Sequence, residues 1–183
     1  MRSLRSDLGI ISLTAENEEI VRRELERAGL TFAQIVETPP CVVVSAVHPL
    51  AAKKKISLTA LVDYPRVIFE QQNGASEYYS EDPLPRAPHA ALIEVRDRAS
   101  LTSMLNMTDA YAIGTGFSAP GMGQGTVAVP LKEDVRMQVG YVQNPRVAQG
   151  ELVSEFVSAL FDAVEADRRR FRDETAPRDP SIG

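Results

Sequence analysis

His48, His89 and Cys41 are the residues of this sequence whose types could carry nucleophilic or metal chemistry, and they are its only histidines and cysteine. A nucleophile needs a base within hydrogen-bond reach, and a structural zinc needs Cys or His ligands at paired spacing. Each histidine instead stands beside a proline, as His48-Pro49 and Pro88-His89, in a segment that reads as a turn. The turn reading of His48 outweighs a catalytic one, and Cys41 reads as a small buried apolar residue. No catalytic residue, metal ligand or cofactor is therefore assigned, and the expectation is a protein that is not an enzyme.

Gly114-Thr115-Gly116 follows an apolar run and invites comparison with a dinucleotide-binding loop. Its continuation, Ala119-Pro120-Gly121-Met122-Gly123, does not open a helix, so a loop using the backbone freedom of glycine is the better reading. Two basic runs, Lys53-Lys54-Lys55 and Arg168-Arg169-Arg170 with Arg172, lack interleaved aromatics for base stacking. With a formal net charge of −5, they read as solvated surface, and direct DNA binding by this chain is not expected. A lone cysteine, no run of about 18 apolar residues and no signal-peptide pattern point to the cytoplasm and away from the membrane.

The elements that must position any site follow from periodicity. The 183 residues are 44% hydrophobic and 25% charged, an ordinary globular composition. Leu8 to Leu13 reads as a buried strand. Glu16 to Ala28 reads as a helix, with Ile20, Val21, Leu25 and Ala28 on one face, glutamates early, arginines late and Gly29 as its stop. Strands are expected over 32–37 and 41–47, broken by Pro39-Pro40, followed by a helix capped by Ser57 and a strand at 67–69. A weak helix at 77–80, a strand at 90–95, a helix at 100–107 and a strand at 110–113 continue the alternation. A loop over 114–125, strands at 127–129 and 137–142 and a helix over 151–164 complete an α/β pattern. Leu152, Phe156, Leu160 and Val164 read as a core stripe of that last helix, and 166–183 as a disordered tail.

Four segments, taken in order and spacing, resemble the effector-binding domain of LysR-type transcriptional regulators. They are Asp7-Leu8-Gly9-Ile10-Ile11; the strand into His48-Pro49-Leu50-Ala51 with Ser57-Leu58 and Tyr64-Pro65; Ala99-Ser100-Leu101 through Thr115-Gly116; and Gly140-Tyr141-Val142 leading to Phe156. The resemblance covers the chain to about residue 165. It implies a two-lobed α/β fold of the periplasmic-binding-protein-like type II class, with residues 1–46 and 128–165 in an incomplete first lobe and 47–127 in the second. Family members carry an N-terminal winged helix-turn-helix, a linker helix and an opening β-α-β-α stretch that are not in this sequence, so it reads as truncated, with the DNA-binding module absent. The resemblance further implies a small-molecule effector in the cleft between the lobes. The rival reading is a stand-alone cytoplasmic solute-binding protein or an enzyme on the same fold.

Open α/β sheets bind ligands beyond the carboxyl ends of their strands. Ser12 and Thr14 end the first strand, where capping of the following helix is their competing role. Phe69, Glu70 and Gln71 end the first strand of the second lobe and face the same cleft if the resemblance holds, an exposed turn being the competing role of Glu70-Gln71. These five are the expected ligand contacts. Glu70 would repel an anion unless another group neutralises it, which disfavours a simple dicarboxylate. An incomplete first lobe could also turn the Leu152 stripe into a homodimer face.

Overall fold

A computed structural model describes residues 6–70, 82–117 and 123–175, with side chains described as far as Arg168. Two sheets organise the chain. The first has three antiparallel strands in the order β1 (Leu8–Thr14), β8 (Met137–Gln143), β2 (Thr31–Thr38). Helix α1 (Glu18–Arg27) packs on it through Val21 and Leu25, which form a small core with Leu13 and Val142. Acidic residues in the first turn and Arg27 in the last suit the helix dipole, and Glu18–Arg22 and Glu19–Arg23 pair one turn apart. Gly29, at φ +68°, ends the helix as expected.

The second sheet has five strands in the order β5 (Leu92–Val95), β4 (Arg66–Phe69), β6 (Tyr111–Gly114), β3 (Cys41–Ser45), β7 (Thr126–Pro130). Parallel pairing of β4 with β5 and β6 sits beside antiparallel pairing of β3 with β6 and β7. The β-branched run of β3 is buried on both sides. Val42 and Val44 join one core with Leu61, Tyr111 and Val129, while Val43 packs against the other, which holds Val67, Leu101 and Leu105. Helix α2 (Arg98–Met107) covers the latter face, and Asp97 caps it by accepting from the Ser100 N–H at 2.8 Å.

Several expectations change on contact with the structure. The strand expected over 41–47 stops at Ser45 and pairs in the five-stranded sheet, as does β7. The chain therefore crosses between sheets at Pro39-Pro40 and again between Pro130 and Met137. Prolines lack the N–H a ladder needs, so the first sheet ends there. The helix expected after Ser57 is a short 3-10 turn, Leu58–Leu61, without a side-chain cap. Helix α3 (Glu151–Thr175) runs past 164 and takes in the start of the expected tail, because the added residues are good helix formers and proline first returns at Pro177. Its expected core stripe is exposed at its start. Leu152 is 78% and Phe156 51% exposed, whereas Val153, Val157, Leu160 and Val164 are half-buried. The weak helix expected over 77–80 lies outside the described residues.

Candidate functional site in the intersheet cleft

A cleft of about 410 Å³ opens where the two sheets face each other. From the first sheet come Ile10, Ile11 and Ser12 of β1, Met137 and Val139 of β8, and Val21 of α1. From the second come the whole of β4, Ala112 to Gly114 of β6, and Arg98 and Leu101 of α2, with Asp82, Thr115 and Phe117 between them. Most of this wall is apolar, with a few polar groups, the usual make-up of a small-molecule site.

The structure brings Ser12 and Phe69 to this one cleft. Thr14 is buried beside it, its backbone N–H donating to Asn17 Oδ1 at 2.8 Å, and Asn17 Nδ2 donates to the Ser12 carbonyl. Glu70 is not among the lining residues. It forms a two-bond pair with Arg96, at 2.5 and 3.2 Å, whose guanidinium holds the Glu70 carboxyl below its usual range. Gln71 lies outside the described residues.

Sequence reasoning missed the charged residues of the cleft. Arg66 opens β4 and is 1% exposed, with Nη2 donating to Asp82 Oδ1 at 2.5 Å; that oxygen also accepts the Leu84 N–H. Tyr111 lies opposite Arg66 in the parallel register and donates its hydroxyl to the Pro88 carbonyl. Burial pushes this phenol up to about 12, with the Arg66 charge drawing it down and the Asp82 charge adding to the rise. Arg98 lies over the Phe69 ring, 5.2 Å from its centre. The available signal was an arginine directly after Tyr64-Pro65 and before Val-Ile-Phe, a charge that must find a partner if the strand is buried.

The nucleophile and base candidates settle into structural roles. His48 is buried in its turn; Nδ1 accepts the Leu50 N–H at 3.0 Å and Nε2 reaches the Asp109 carbonyl at 3.2 Å, so both ring nitrogens are engaged with backbone. Cys41 is buried and its thiol is pushed up to about 11 by desolvation. We expect native protein at about pH 8 to react with iodoacetamide far more slowly than a free thiol of ordinary pKa. Unfolding in urea should restore the ordinary rate, and equal rates in both states would contradict this placement. Among the described residues, no cluster of three or more His, Cys, Asp or Glu could hold a metal, and no helix is long and apolar enough to cross a membrane.

Comparison with known proteins agrees with this architecture. No curated protein matches the sequence. Among solved structures, the chain is similar to the regulatory domain of CcmR from Synechocystis in complex with 2-PG, at 16% identity and TM-score 0.58, over 88% of this chain and 75% of that one. It is similar to the effector-binding domain of QuiR in complex with shikimate, at 16% identity and TM-score 0.56, over 92% and 75%. It is also similar to HinK, a LysR family transcriptional regulator from Pseudomonas aeruginosa, at 15% identity and TM-score 0.55, over 87% of this chain but only 53% of HinK. At such identities the likeness speaks for the fold, which is the periplasmic-binding-protein-like α/β fold of these effector domains. The family model of the LysR substrate binding domain matches residues 5–165, which take in all the strands of both sheets and the first part of α3, and on that match this chain belongs to the LysR substrate-binding-domain family.

Proposed function

We propose that this chain is the effector-sensing part of a LysR-type transcriptional regulator and works as a cytoplasmic, non-enzymatic switch. A small metabolite enters the intersheet cleft, touching Ser12 from one side and Phe69 from the other. The observation that carries the reading is this cleft itself, lined by both sheets in a chain that matches the family over 5–165. CcmR with 2-PG and QuiR with shikimate support it, as relatives of the same fold that hold small molecules.

Two chain crossings, at Pro39-Pro40 and between Pro130 and Met137, join the sheets, so a ligand that contacts both favours one angle between them over another. Only differential affinity for the two arrangements shifts the equilibrium. On this reading the lobes follow the sheets, and the output passes to the DNA-binding module of such a regulator. Contact between two copies through the exposed Leu152 and Phe156 of α3 belongs to the same reading.

Calorimetry with a metabolite recovered by thermal-shift screening tests it. Ser12→Ala should weaken binding by about 1–3 kcal/mol if it leaves a buried ligand group unpaired. Gly114→Leu should fill the cleft and abolish binding, since an added Cβ there meets nothing within 4 Å and the fold tolerates it. In gel shifts at about 50–200 mM salt the chain should show no sequence-selective DNA complex. Unchanged affinity in both variants, or a selective shift, would overturn the proposal.

A further inference from the structure

The charge in the cleft goes beyond what the fold requires. Val67, Ile68 and Phe69 make the rest of β4 apolar, and an apolar side chain of similar volume at position 66 would pack there without the desolvation cost of a buried cation. Arg66 is only partly compensated. Asp82 takes one nitrogen, Nη2, and the buried Nε of Arg66 has no hydrogen-bond partner. An unpaired donor on a buried cation is costly, and an acceptor arriving from outside the chain relieves that cost.

The surroundings restrict what that acceptor is. Among the described residues lining the cleft, the charged groups are Arg66, Arg98 and Asp82, so two cations face one anion. Glu70, which could have opposed an anion, lies outside the lining and is paired with Arg96. Phe69, fixed under Arg98, and Ile113 supply flat and branched apolar wall.

We propose that the cleft selects a small organic acid that carries a single carboxylate on an apolar body. Arg66, which lines the cleft and whose buried Nε has no partner in the chain, turns that donor to the acid; Arg98 adds the second positive charge, and the body lies against Phe69 and Ile113. Among the described lining residues one excess positive charge suits one carboxylate and disfavours a dicarboxylate. This inference rests on the cleft being the effector site.

Calorimetry with phenylacetate, 4-methylpentanoate, their primary amides and succinate tests it on the intact chain. At least one monoacid should bind about 10- to 100-fold more tightly than its amide, the range expected of a charge-assisted hydrogen bond, and more tightly than succinate. Arg98→Gln, a change at an exposed side chain, should narrow the acid-to-amide ratio. The double variant Arg66→Met/Asp82→Asn removes one charge of each sign, so the net field is kept while the donor is lost; acid binding should fall and amide binding should hold. Amides binding as tightly as acids, a ratio unchanged in both variants, or no saturable acid binding at millimolar concentration would overturn the inference. Gly114→Leu separates the two levels of the argument. Amide binding that this variant abolishes keeps the cleft as the site and removes only the acid preference, whereas acid binding that survives it removes the cleft.

Discussion

Arg66→Met alone should lower folding stability by about 3–5 kcal/mol, the usual cost of removing one member of a buried ion pair. Both partners are out of solvent, Arg66 at 1% and Asp82 at 9% side-chain exposure. The variant leaves a largely covered carboxylate whose Oδ1 keeps the Leu84 N–H but loses the Arg66 guanidinium. Arg66→Met/Asp82→Asn should recover most of the loss, because the cost comes from the stranded charge and not from the lost packing of the arginine stem. Urea unfolding of the two variants beside the parent decides it. A single variant within about 1 kcal/mol of the parent would show that water or another group already compensates Asp82.

Gly140→Ala should be the other strongly destabilising change. Gly140 is in β8, the central strand of the three-stranded sheet, opposite Ile11 on one side and Gln34 on the other. A Cβ at this position would run into the Ala33 carbonyl oxygen and fall within 2.5 Å of the Phe32 ring. Backbone cannot yield as a flexible side chain can, so a cost of about 1–3 kcal/mol or more is expected, in the range of overpacked cores. Gly114→Ala is the matched control. Its Cβ meets nothing within 4 Å, and its effect should stay within about 0.5 kcal/mol. Similar losses in both would show that strand propensity, not space, governs these glycines.

What could be read in the sequence was whatever local chemistry decides. The register of α1 was legible because Val21 and Leu25 recur at helical spacing between acidic and basic turns, and its end because Gly29 takes a positive φ. The turn role of His48 was legible from Pro49. The reach of the site was only half legible. Ser12 and Phe69 follow from the rule that ligands gather at strand ends, but Thr14 and Glu70 stand at strand ends too and their environments differ: Thr14 is buried, and Glu70 is drawn off by Arg96. Arg66 and Asp82 are separated by 16 positions and meet only through the fold, so no spacing announces them. The sheet membership of β3 was obscured for a similar reason. Val42, Val43 and Val44 specify a strand buried on both faces but not its neighbours, and pairing with β6 and β7 is a long-range outcome. In α3, the stripe read at helical spacing does not match the burial found: Leu152 and Phe156 are exposed, while Val153 and Val157 are half-buried.

Hydrogen exchange of the chain with and without a bound monoacid shows whether a small molecule acts in the cleft between the two sheets. Added protection is expected in residues 10–12 of the first sheet together with 68–69 and 112–115 on the side of the second, since all of them line the cleft. Protection confined to α3, or to one sheet with the other unchanged, would contradict it.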